Sequence, residues 1–99
     1  MSNDDTWSIP APPFKADEAL VTLKRALRDL ALSERGNAYE LRGKRVVELA
    51  AEDGEIQARL ARRLMITPEW DRIAVRSAAD QRKLVDEVKK RLARWEHEE

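Results

Sequence analysis

Two stretches of the chain repeat apolar residues every three or four positions, and the segment between them repeats every two. From Ala16 to about Leu32, Leu20, Leu23, Leu27 and Leu30 form one stripe with Ala16, Ala19 and Ala26 beside it, while Lys24, Arg25, Arg28 and Asp29 fall opposite. That period predicts an amphipathic helix. Asp17 and Glu18 near its start complement the helix dipole. Ser33-Glu34-Arg35-Gly36-Asn37 follows, and Gly36 is the expected left-handed cap. The second helix is predicted from Ser77 to Trp95, with Gln81, Leu84, Val85, Val88, Leu92 and Trp95 along one face. Ser77 suits the N-cap, and Asp80 makes a capping-box variant with it. Asp86–Lys90, Glu87–Arg91 and Lys90–Arg94 lie one turn apart on the rest of that helix. Trp95 reads as an anchor for the last turn.

The middle of the chain turns on Asp53-Gly54, the strongest short hairpin signal. A two-residue turn there sets Glu52 opposite Glu55, Ala51 opposite Ile56, Leu49 opposite Ala58 and Val47 opposite Leu60. One face of that pair is then wholly apolar. The other pairs Ala50 with Gln57 and Glu48 with Arg59, an attractive charge pair. A slip by one residue would destroy the match. The competing reading is a short helix over 55–65, since Ile56, Leu60 and Leu64 also recur every four residues. It leaves the symmetry about the turn unexplained.

The hairpin extends in both directions. A three-residue loop, Arg42-Gly43-Lys44, keeps Tyr39 opposite Val47 on the apolar face. Ahead, Trp70–Arg76 alternates with Ile73 and Val75 inward, and Thr67-Pro68 marks the preceding turn. A four-residue loop, Met65 to Pro68, sets Ile73 opposite Leu60, Val75 opposite Ala58 and Asp71 opposite Arg62. The expected fold is α+β, in the order α-β-β-β-β-α: an antiparallel meander with two helices packed on one face.

Length adds that this is one domain. The expected division is a proline-containing N-terminal tail at 1–14, a single domain at 15–96, and a frayed terminus at 97–99. Within the tail, PAPPFK matches a proline-rich ligand pattern, and Phe14 is placed to pack beside the first helix. There are 19 basic and 19 acidic residues, so the net charge is zero, which argues against a generic phosphate binder. No cysteine is present, so disulfides and thiolate chemistry drop out. MSNDD is acidic with no apolar run after it, and no apolar run approaches a membrane span. A soluble, cytoplasmic protein is expected, with no membrane contact.

The face that the helices leave open carries Val46, Glu48, Ala50, Gln57, Arg59, Ala61, Arg63, Trp70, Arg72, Ala74 and Arg76. Binding residues are therefore sought there: Trp70, Arg59, Arg63, Arg72 and Arg76, with Trp70 set opposite Arg63, and with Ala61 and Ala74 allowing close approach. Arginine and tryptophan are enriched at interface hot spots, so a protein partner or a homodimer is expected. The alternative is an RNA- or DNA-binding module, which would add Arg42, Lys44 and Arg45 from the first hairpin loop. The plain alternative is a solvated face whose charges neutralise each other.

Nothing points to an enzyme. The one histidine, His97, lies in WEHEE at the end of the chain with no partner in sequence to orient it. The three glycines are accounted for by turns. Glu52, Asp53 and Glu55 sit at a turn tip, where water keeps their pKa ordinary. No cofactor and no metal are expected. The element order is similar to that of double-stranded-RNA-binding domains, and an α–sheet–α order is shared with frataxin-like proteins. However, RGKR stands where the first family carries a Gly-Pro-x-His type signature, and SAADQRK where it carries a lysine cluster. The acidic ridge of the second family has no counterpart on the mixed-charge first helix. No residue roles follow from either likeness.

Overall fold

A computed structural model describes residues 14–97. Residues 1–13, which include most of the expected tail and its proline-rich pattern, and residues 98–99 lie outside that range. The order is α-β-β-β-β-β-α: α1 Ala16–Asp29, β1 Ser33–Arg35, β2 Ala38–Leu41, β3 Lys44–Glu52, β4 Glu55–Ala61, β5 Trp70–Val75 and α2 Ala78–Glu96. The strands form one antiparallel meander, β1-β2-β3-β4-β5. The sheet has one strand more than expected. Ser33–Arg35 is exposed throughout, so no apolar alternation announces it.

Both helices lie on one face. Leu23 and Leu27 of α1 and Leu84, Val88 and Trp95 of α2 join Tyr39, Val47, Leu49, Ile56, Ala58, Leu60 and Val75 in a single buried cluster. Each large apolar side chain there contributes about 1.5–3 kcal/mol of transfer free energy. Phe14 is half-buried against this cluster, ahead of α1. Trp95 is 1% exposed and clamps the last turn of α2, with its indole N–H buried and without a partner among the described residues.

The β3–β4 hairpin has the expected register at all six pairs, from Val47↔Leu60 to Glu52↔Glu55. Asp53 (φ 51°) and Gly54 (φ 76°) are both left-handed, as a tight hairpin turn requires. The helical alternative over 55–65 is excluded by β4.

Several expected boundaries move. α1 ends at Asp29, and Ala31 (φ 65°), not Gly36, takes the left-handed position after it. Gly36 instead turns β1 into β2, between Arg35 and its partner Ala38. The β2–β3 turn is two residues, Arg42-Gly43, rather than three, with Leu41 opposite Lys44. A β-bulge then restores Tyr39↔Val47, so the expected apolar pair forms by a different route. The β4–β5 connection is longer than the four residues expected. It runs from Arg62 to Glu69, and Ile73 pairs with Ala58, Val75 with Ile56 and Asp71 with Leu60. The slip is two residues, so every side chain keeps its face. Alternation along a strand cannot tell registers two apart.

Ser77 caps α2 as expected: its Oγ accepts from the Asp80 N–H at 3.1 Å. The Asp80 carboxylate accepts from the Arg76 N–H at 3.0 Å, one residue earlier than in a capping box.

Candidate functional site on the open sheet face

On the face away from the helices, the registers stack side chains into cross-strand rows over β3, β4 and β5. Val46, Ala61 and Trp70 form the first row, with Ala61 paired to Trp70 and Val46 next along from Val47↔Leu60. Glu48↔Arg59↔Arg72 is the second and Ala50↔Gln57↔Ala74 the third. Glu52 and Glu55 begin the fourth, which Arg76 completes one step past the last β4–β5 pair.

The first row is closed to a partner. Val46 and Ala61 are 0% exposed, so Ala61 does not offer the close approach expected of it. Trp70 is half-buried against the core cluster, and Leu64 packs there too. The signal was present in the sequence, since Val46, Ala61 and Trp70 are three apolar residues in register. Val46 and Ala61 belong to the one buried cluster and Trp70 packs against it, so the row is not a contact surface.

Arg59 sits over the Trp70 ring, 5.3 Å from its centroid. The indole face is thus already occupied by a cation within the chain. Arg59 also forms an ion pair with Glu48, which takes a second arginine, Arg45, at 3.4 Å. Arg72 lies directly opposite Arg59, like charge against like charge. Among the described residues Arg72 has no ion pair and no side-chain hydrogen bond, and the same holds for Glu52. In the last row Glu55 takes Arg76 at 2.7 Å and accepts from the Gln57 amide at 2.9 Å.

The second row, with Ala50 and Gln57 of the third and Glu52 of the fourth, lines a shallow depression of about 600 Å³. Its wall includes Arg35 from β1 and Arg45 from β3, along with Glu48, Gln57, Arg59 and Arg72. Arg35 was missed in the sequence because β1 itself was. It reaches the row through Ala38, which pairs with both Arg35 and Glu48. Arg63 is not on this face. It is exposed in the loop after β4, and Trp70 stands opposite Ala61 rather than Arg63. Of the first hairpin loop, Arg42 makes the turn at φ 54°, Lys44 is half-buried at the start of β3, and Arg45 leans toward Glu48.

The groups with shifted pKa values lie elsewhere, in two ion-pair networks. The Tyr39 hydroxyl donates to Glu34 at 3.1 Å, and burial together with that carboxylate pushes its pKa up to about 12. Glu34 is held below the usual carboxylate range by its bonds to Arg28 and Tyr39. At the far end of the sheet Asp71 takes Arg62 at 2.8 Å and Arg91 of α2 at 2.9 Å, and Arg62 above all lowers its pKa. The expected Arg62–Asp71 pair thus forms although the two are not directly opposite. Arg91 also takes Glu87, as the helical spacing predicts, and donates to the Ala61 carbonyl at 3.0 Å. These networks tie helices and loops to the sheet.

Among the described residues no group of three His, Asp or Glu side chains gathers as metal ligands, and no helix is long and apolar enough to cross a membrane. His97 is exposed just past α2. The chain matches no protein-family model, no curated protein and no solved structure.

Proposed function

We propose that the protein is a non-catalytic interaction module that binds a protein partner, or a second copy of itself, through the open sheet face. The observation that carries this reading is the uncompensated charge around the depression. Arg72 faces Arg59 across the strands with no carboxylate of its own among the described residues. Like charges directly opposite cost stability, and an incoming carboxylate relieves that cost. Arginine suits the role because its planar fork takes a carboxylate bidentately.

The test is capture by the tagged chain from a native lysate that also holds the untagged chain, with half of each sample treated with nuclease. Protein is expected to be retained after nuclease, lost with Arg72→Glu and kept with Arg82→Glu on the exposed side of α2. Capture that survives Arg72→Glu would sink the reading.

The arginines Arg35, Arg45, Arg59 and Arg72 around one depression also support a second reading, an RNA- or DNA-binding module. It predicts binding that falls steeply with salt and capture that nuclease abolishes. The protein reading is preferred because Glu48 and Glu52 line the same depression and Arg59 already covers the Trp70 ring.

A further inference from the structure

The two charged rows of the open face are inverse in sign when one of them is read in the opposite direction. Along β3, β4 and β5, Glu48, Arg59 and Arg72 read minus, plus, plus, and Glu52, Glu55 and Arg76 read minus, minus, plus. In each row one ion pair forms, Glu48–Arg59 in the first and Glu55–Arg76 in the second. Among the described residues each row therefore leaves one charge over, Arg72 and Glu52, and both are exposed. The two remainders are opposite in sign. They stand at opposite corners of the patch, two strands and two rows apart, which is roughly 17 Å on ideal strand spacings. That separation is too great for them to neutralise each other within one chain.

We infer that the occupant of the open face is a second copy of this chain, held by two identical Arg72–Glu52 ion pairs across a two-fold axis. This rests on the open-face reading above and names its partner. Gln57 lies midway between the two corners, on the middle strand and in the middle row. A two-fold axis in the plane of the interface, over Gln57 and perpendicular to the Arg72–Glu52 diagonal, places each Arg72 on Glu52 of the other copy. Such an interface is isologous: one contact generates its twin. The same rotation carries Arg59 toward the Glu52 corner of the other copy and Glu55 toward its Arg72 corner, so the next-nearest charges are also opposite. Glu48 and Arg76 fall near their own counterparts, but each is already neutralised inside its chain. On ideal spacings the strands of the two copies cross at roughly 70°, nearer the orthogonal than the aligned class of sheet packing.

The middle row makes close approach feasible. Ala50 and Ala74 flank Gln57 with side chains of one carbon. The patch is small, about 15 Å by 20 Å for three strands. The dimer therefore belongs to the weak end of interfaces, and high protein concentration is the condition for seeing it.

Sedimentation of the full chain across a concentration series up to its solubility limit tests this. The wild type is expected to move from monomer to dimer. Arg72→Glu puts two glutamates together at both contacts, and Glu52→Arg puts two arginines together. Each is expected to weaken the dimer on the order of a hundredfold or more. An equimolar mixture of the two variants is expected to form a heterodimer, because both of its contacts are then attractive. The double variant is expected to restore self-association. The mixture also guards against a folding artefact, since unfolded chains would not recombine. A wild type that stays monomeric overturns the inference, yet leaves the open-face reading standing if Arg72-dependent capture of another protein is found. Dimers that persist in both single variants, or single variants that fail to recombine, likewise overturn it.

Discussion

The two faces of the same sheet obey different rules. On the helix side, Val47, Leu49, Ile56, Leu60 and Val75 are buried together with the leucines of both helices. Apolar burial has no direction, so any arrangement that covers the stripe is rewarded. On the open side, the same strands carry charges whose pairing depends on which residue stands opposite which. There, a shift that leaves the core face apolar still changes every charge pair. The helix side determines whether the chain folds, and the open side records the register in which it did.

Substitutions can break that contrast, and the largest effect is expected on the helix side. Leu60→Ala, in the middle of the sheet and fully buried, is expected to cost about 2–5 kcal/mol in urea unfolding. Arg72→Ala, on the neighbouring strand but exposed, is expected to leave stability within about 0.5 kcal/mol of wild type, or to raise it slightly by relieving Arg59. A loss as large as that of Leu60→Ala would mean that the two faces are not energetically distinct.

Tyr39→Phe is expected to cost about 1 kcal/mol by removing the hydrogen bond to Glu34. Its pH dependence is more telling. The folded state holds the Tyr39 proton up to about pH 12, above the ordinary phenol value. The stabilisation is therefore complete below about pH 10 and is lost as pH rises toward the folded value. Thermal melts from neutral to alkaline pH should show that decline in the wild type and a shallower one in Tyr39→Phe. In acid the sign reverses. Asp71 binds its proton less readily folded than unfolded, so stability falls as pH drops through the carboxylate range. Asp71→Asn is expected to flatten that acid limb in melts between about pH 6 and pH 2.

Smallest of all is the expected effect of Glu48→Gln on the open face. Two arginines lose a carboxylate there, but both are substantially exposed, so about 1 kcal/mol or less is at stake in chemical denaturation. A much larger loss would show that the charged rows help to hold the sheet together rather than only decorating it.

The sequence made part of this plan legible. The β3–β4 register was readable because six residue pairs agree about one Asp-Gly turn. Helix α2 was readable from its period and its serine cap. β1 was not, since its three exposed polar residues look like a helix cap followed by a loop. The bulge that keeps Tyr39 opposite Val47 was not readable either, because a three-residue loop satisfies the same pairing. Of the candidate site, Arg59, Arg72 and Arg76 were placed on the open face correctly. Ala61 failed because burial on that face depends on Trp70, whose partner changed with the β4–β5 register.

By itself the sequence determined both helices and the four strands β2 to β5, and which face of each is apolar. Periods of two and of three to four residues are local, and burial reads them directly. Only the tertiary structure decided which charges meet. Shifting one strand by two residues costs the core almost nothing in pattern, yet it decides that Arg72 stands against Arg59 and that Trp70 covers Ala61. Hydrophobic patterning is blind to a shift of two, whereas ion pairs depend on every ångström.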